Sequence, residues 1–164
     1  MGGGIRGNRP SYSQAYKQVN SKQPTLDNYK DDNTEVDRKK RVFISFHIDD
    51  EAQVNLLRHQ AKDEDTDLEF IDYSVKEPFD EKWKTQATER IKRSSVVIVM
   101  VGAETHERDA ANWEIKKAYE LNKKVICVRI YKNEKHKIPQ ECREKNAKVI
   151  KWDLKAINNE LSER

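Results

Sequence analysis

An α/β fold built on a doubly wound, five-stranded parallel sheet is predicted by three features of the sequence. Short apolar runs rich in β-branched residues alternate five times with segments whose apolar residues recur at helical spacing. No tight hairpin signal joins any two of these runs, so successive strands must be linked by crossover helices. The most continuous run, Val96 to Val101, has no polar face, as expected of a central parallel strand covered on both sides.

Residues 1 to 40 scatter Tyr12, Tyr16, Val19, Leu26 and Tyr29 among Gln, Asn, Ser, Lys and Asp, with no sustained period. They predict a flexible or weakly ordered N-terminal tail, with packing of its tyrosines on the domain or on a partner as the rival expectation. The domain is expected over 41 to 164. Val42 to Phe46 is the first strand, and Asp49-Asp50-Glu51 opens a helix carrying Val54, Leu57 and Ala61. Leu68 to Tyr73 is the second strand, and after a loop through Pro78, Asp80 can cap a helix with Trp83, Ala87 and Ile91 on one face. Val96 to Val101 follows, then a loop from Gly102 to Asp109 and a helix marked by Ala111, Ile115, Ala118 and Tyr119. Val125 to Ile130 is the fourth strand, Val149 to Trp152 a short fifth, and Leu154, Ile157 and Leu161 mark a closing helix. Residues 131 to 146 are too polar to assign.

Composition narrows the function. The chain has 164 residues, 37% charged against 35% hydrophobic, with a net charge of +3. The first 40 residues hold eight basic and five acidic residues, so the remaining 124 are formally neutral. A dedicated nucleic-acid-binding domain normally carries a basic excess, and none is expected here. Four of five glycines lie in the first seven residues, leaving Gly102 alone, which excludes both a G-x-G-x-x-G dinucleotide turn and a phosphate-binding P-loop. The longest apolar run is too short to span a bilayer, no secretory signal follows the N-terminus, and Arg6 breaks the myristoylation pattern. The expectation is a cytoplasmic protein without a membrane partner. Cys127 and Cys142 predict reduced thiols, and His47, His59, His106 and His136 lack ligand spacing with them or one another, so no metal site is expected.

In a doubly wound sheet a ligand lies beyond the carboxyl ends of the strands, where the winding reverses. With strand order 2-1-3-4-5 that crevice falls between strands 1 and 3. The loop after strand 1 offers His47, Asp49 and Asp50, and the loop after strand 3 runs through Glu104, Thr105 and His106 toward Trp113 and Glu114.

These segments resemble a known family. Arg41-Val-Phe-Ile-Ser-Phe-His47 is similar to the first box of TIR domains, and Arg90 to Gly102 resembles their second helix and third strand. Asn112-Trp-Glu-Ile-Lys-Lys-Ala118 resembles the segment that carries the catalytic glutamate of NAD-cleaving TIR enzymes. Asp72 to Trp83 and the Thr105-His106 pair resemble the bacterial and archaeal TIR-like branch that includes the ThsB proteins of Thoeris antiphage defence. The likeness covers roughly 41 to 152. It implies a flavodoxin-like TIR fold and cleavage of the nicotinamide–ribose bond of NAD+, which is then a substrate and not a cofactor. In Thoeris-type members a cyclised ADP-ribose signal reaches a separate effector, and a homo-oligomer and a phage-derived trigger are further partners consistent with the resemblance. Trp113 stands where many TIR domains have a small residue or Cys, and Ser74 to Asp80 replaces their glycine-rich loop. The competing expectation is a non-catalytic TIR module that signals by assembly.

Breaking that bond passes through an oxocarbenium-like sugar cation, and nicotinamide departs as a neutral base. A single placed carboxylate can therefore matter more than an acid/base pair. Glu114 is the candidate, because it borders the apolar face of its helix near the crevice; the alternative is a solvated Glu in the helix's first turn, favoured by the macrodipole. Ser45, Phe46 and His47 are expected to form one wall of a substrate site, with Phe46 against a base or else a core aromatic, and His47 on a hydroxyl or phosphate or else an exposed loop histidine. Asp49 and Asp50 are candidates for ribose or for a helix cap, Trp113 for shielding the sugar or, more simply, for aromatic packing under the loop, and His106 for a further pocket contact.

Overall fold

The computed structural model describes residues 39–64, 66, 68–71 and 81–163. The expected tail, apart from Lys39 and Lys40, lies outside the described residues, as do Asp72, Tyr73 and the Ser74 to Asp80 loop.

The chain runs β1 (Lys40–Ser45), a 3-10 turn (Ile48–Asp50), α1 (Glu51–Asp63), β2 (Leu68–Phe70), α2 (Glu81–Arg93), β3 (Val96–Val101), a second 3-10 turn (Thr105–Glu107), α3 (Asp109–Glu120), β4 (Lys124–Arg129), α4 (Gln140–Glu144), β5 (Lys148–Lys151) and α5 (Leu154–Ser162). All four strand pairings are parallel, and the sheet order is β2-β1-β3-β4-β5. This is the flavodoxin-like architecture anticipated from the alternation of apolar runs and helical segments. The winding reverses between β1 and β3, where Ser45 sits level with Val99.

Side chains alternate across each strand, so the sheet has two apolar faces. Val42, Ile44, Val96, Ile98, Met100, Ile126 and Val128 meet Val54, Leu57 and Ala61 of α1 and Leu154, Ile157 and Leu161 of α5. On the other face Phe43, Val97, Val99, Val101, Val125 and Cys127 meet Ile91 of α2, Ile115 and Ala118 of α3, and Cys142 of α4. Every residue of β3 is buried. Each such side chain contributes about 1.5–3 kcal/mol by leaving water. The scarcity of apolar residues is thus no obstacle, because they are concentrated on strands and single helix faces. Cys127 and Cys142 are free thiols.

Helix ends have local causes. α5 starts where the Asp153 carboxylate accepts from the Ala156 N–H at 2.8 Å. α3 stops at Asn122, whose φ of 53° is left-handed; Asn122 N–H donates to Tyr119 O and Lys123 N–H to Ala118 O, the paired bonds of a Schellman turn. α4 ends the same way, at Asn146 with φ 53° and the Ala147 N–H donating to Cys142 O. Asparagine takes the place usually held by glycine, which is why a glycine-poor domain can still end its helices sharply. The segment left unassigned between residues 131 and 146 contains α4, whose five residues are too few to show a period and whose buried anchor is Cys142.

Truncating Ile98, fully buried at the centre of β3, to alanine should cost about 2–5 kcal/mol. Denaturant unfolding monitored by circular dichroism should show the midpoint fall with little change in slope.

Candidate active site

The carboxyl ends of β1 and β3 face the segments that follow them, and the strand parity decides what meets there. Ser45 shares a face with Phe43, the side covered by α2 and α3, whereas Phe46 turns to the α1 side and packs against that cluster. The fold therefore brings Ser45 together with Glu114 and leaves Phe46 on the opposite face of the sheet.

Ser45 Oγ donates to Glu114 Oε2 at 2.6 Å, joining β1 to α3 across 69 residues of sequence. Both side chains are buried, with Glu114 1% exposed. The expectation of a solvated first-turn glutamate does not hold: α3 begins at Asp109, which places Glu114 in the second turn, beyond the reach of the macrodipole's main effect. Burying a carboxylate costs stability unless it is hydrogen-bonded, and even a bonded one is seldom a net gain for the fold. A buried carboxylate near a switch point is therefore a candidate for function.

His47, also buried, is the cap of the first 3-10 turn, and its Nδ1 accepts from the Asp49 N–H at 2.9 Å. Its Nε2 lies 3.7 Å from Glu104 Oε2, and its Nδ1 lies 3.8 Å from Asp49 Oδ2. Glu104 in turn pairs with Arg108. His47, Asp49 and Glu104 offer ligand atoms close enough together to surround a cation. The hydrogen bond to Nδ1 argues against that use. A neutral ring accepting at Nδ1 carries its proton on Nε2, so neither nitrogen has a lone pair to spare.

Neither aspartate acts as a side-chain cap. Asp49 is exposed, and Asp50, at the start of α1, makes no capping hydrogen bond. Its carboxylate instead lies against Gly102: a Cβ built there would stand 2.2 Å from Asp50 Oδ2. This contact explains the one glycine of the domain, which is needed for close approach and not for a phosphate turn. Burial pushes the Asp50 carboxyl above its ordinary 3.8, and Asp49 adds to the rise while His47 and His136 oppose it. The loop after β3 is pinned by Thr105, whose hydroxyl donates to Met100 O at 3.1 Å and accepts from the Gly102 N–H at 2.9 Å. His106 follows on that loop; its Nε2 is 3.1 Å from Glu107 Oε1, its carbonyl accepts from Asn112 Nδ2, and its buried Nδ1 has no hydrogen-bond partner.

Trp113 takes part in aromatic packing, the simpler of its two expected roles. Its ring packs on Trp83 of α2, with centroids 5.1 Å apart, and the ammonium groups of Lys84 and Lys117 lie 5.9 and 5.5 Å from it. One residue along a helix rotates a side chain by about 100°, so Trp113 joins α2 to α3 where Glu114 meets β1.

Two residues near the site carry no signal of their own in the sequence. Tyr131 and His136, from the unassigned segment after β4, reach the same region: Gln53 Nε2 of α1 donates to the Tyr131 hydroxyl at 3.3 Å, and His136 is near enough to Asp50 to favour its charged form. Tyr131 and His136 pack edge to face with centroids 5.6 Å apart, and Arg129 Nη1 donates to His136 O at 2.8 Å, folding the loop back on its strand. Only the position of Tyr131 and His136 shortly after a strand's carboxyl end could have signalled them.

The chain matches the model of the TIR-like domain of the Thoeris protein ThsB over residues 43–135. No curated protein matches it. In three dimensions it is similar to the TIR domain of the Toll-related receptor TRR-2 from Hydra magnipapillata, with 11% identity over 73% of this chain and 91% of that one and a TM-score of 0.54. It is also similar to the CMP N-glycosidase BcmB of Clostridium botulinum, with 17% identity over 74% and 97% of the two chains and a TM-score of 0.49. Identities this low speak to the fold alone. Among the described residues no helix is long and apolar enough to cross a membrane.

The pH response of Asp50 provides a check on this geometry. A carboxyl whose folded pKa is raised gives its full contribution to stability below its unfolded value, and that contribution is lost as pH climbs through the folded pKa. Asp50→Asn should therefore gain on wild type as pH rises from the acid range to neutrality, measured as the difference in unfolding free energy across a pH series.

Proposed function

The chain belongs to the TIR-like domain family of Thoeris protein ThsB, and on that premise we propose that it is an NAD+ nucleosidase or cyclase that breaks the nicotinamide–ribose bond. The observation that carries this reading is the buried Glu114 carboxylate, held by Ser45 at the β1/β3 switch point. As the bond breaks, its electron pair leaves with nicotinamide, which departs neutral and needs no proton. Positive charge grows on the ribose, and Glu114 stabilises it. Attack on the ribose cation by a nucleophilic nitrogen or hydroxyl elsewhere in the same molecule, with release of one proton, gives a cyclic product; attack by water, with release of one proton, gives ADP-ribose. The cyclic product would be the signal to a separate effector in antiphage defence.

The remaining residues supply binding. His47 would bind ribose hydroxyls or a phosphate and Asp50 a ribose hydroxyl, a role supported by their burial beside the switch point, and His106, on the loop after β3, keeps a buried ring nitrogen without a partner. Asp49, exposed beside them, is a weaker contact. Because Glu114 is itself covered, a nucleotide reaches it only by displacing what lies over it. NAD+ is a substrate in this scheme, and the reaction needs no cofactor.

Purified protein incubated with NAD+, with and without lysate from infected cells, should release nicotinamide and a nucleotide detectable by mass spectrometry. Glu114→Gln keeps the shape and removes the charge, and should lower turnover by about 100-fold or more. Absence of turnover in wild type and variant alike, with the lysate supplied, would refute the enzyme and leave signalling by assembly, which predicts partner binding that survives Glu114→Gln.

A further inference from the structure

We infer that Ser45 is a positioning residue for Glu114 and not a contact for the substrate, an inference that rests on the nucleosidase reading above. Three observations carry it. A serine hydroxyl has one proton to give, and Ser45 gives it to Glu114 Oε2 at 2.6 Å, the short distance of a charge-assisted bond. Ser45 and Glu114 are both covered, with 0% and 1% of their surfaces exposed, so the bond between them lies in the interior, where water does not compete for the hydroxyl or the carboxylate. Finally, Ser45 follows Val42, Phe43 and Ile44 in a buried strand, at an inward position where the fold alone would favour another apolar residue.

A hydroxyl there costs desolvation unless it is bonded, and the partner it meets is the carboxylate of the proposed reaction. The bond ties a side chain on α3, which has three rotatable bonds before its carboxylate, to an interior strand hydrogen-bonded on both sides. It thereby limits rotation of the carboxylate and fixes its distance from the crevice between β1 and β3. A carboxylate that stabilises a transient cation must be in place before the charge develops, because reorienting it during the reaction forfeits much of the effect.

The roles of positioning and substrate contact separate in kinetics. Ser45→Ala should lower kcat by about ten- to a hundredfold with KM for NAD+ nearly unchanged. Ser45→Cys, of similar size with a weaker donor, should recover part of the loss. A raised KM with unaltered kcat would mean that Ser45 binds substrate, and wild-type kinetics in Ser45→Ala would mean that the bond does nothing; either result overturns the inference. A readout without turnover keeps the two claims apart. In protein labelled with 13C at the glutamate carboxyl carbons, the resonance lost in Glu114→Gln identifies Glu114. That resonance should shift and broaden in Ser45→Ala and recover in Ser45→Cys; an unmoved resonance refutes the positioning role even if the enzyme is active. A shifted resonance in a protein that never cleaves NAD+ would retain the pairing and remove the reaction.

Discussion

The pairing of β1 with β3 in the middle of a parallel sheet is the constraint from which the site follows. β3 is buried along its whole length, β1 is buried over Val42 to Ser45, and both faces are closed by helices. Parallel neighbours cannot be joined by a hairpin, so each strand hands the chain to a crossover, and all strand ends point the same way. Between β1 and β3 the crossovers leave in opposite directions, and the polar segments that follow the two strands face each other across the gap. Ser45, His47, Asp50, Gly102 and Thr105 are gathered there by topology, although up to 60 residues of sequence separate them.

Within that gap the stabilising and functional demands pull apart. An apolar pair in place of Ser45 and Glu114 would suit the core at least as well, since buried charge rarely repays its desolvation. Asp50 shows the same tension, its carboxyl raised by burial and only partly compensated by His47 and His136. Gly102 gives up a side chain so that this carboxylate can lie against the backbone. Around these groups the structure is well provided: the Thr105 hydroxyl satisfies the loop after β3, the Trp83–Trp113 pair joins α2 to α3, and Schellman turns end α3 and α4. Desolvation of polar groups is thus concentrated where chemistry is proposed, and the surroundings hold that concentration in place.

Legibility in the sequence tracked the length scale of each signal. Strand β3 was plain because six consecutive apolar residues need cover on both faces, and α1, α3 and α5 because their buried residues recur at helical intervals. Glu114 and Ser45 could be nominated, since each sits in a segment that resembles the TIR pattern and lies near a strand end. Their hydrogen bond could not, because it depends on the tilt of α3 over β1. Trp113 and Phe46 could be read either as crevice or as packing residues, and one step along a helix or strand turns each toward a packed surface. Tyr131 and His136 fell in a polar stretch with no period, and only the return of that loop toward α1 reveals them.

What the sequence determined alone is the order of strands and helices, the doubly wound class and the exclusion of a glycine-rich nucleotide grip, because these depend on local periodicity and composition. What the tertiary structure decided is which polar groups are buried together. A carboxylate at residue 114 is an unremarkable helical residue until β1 brings a hydroxyl within 2.6 Å and the surrounding helices remove the water. Desolvation and hydrogen-bond geometry arise between elements distant in the chain, and no pattern within one element encodes them.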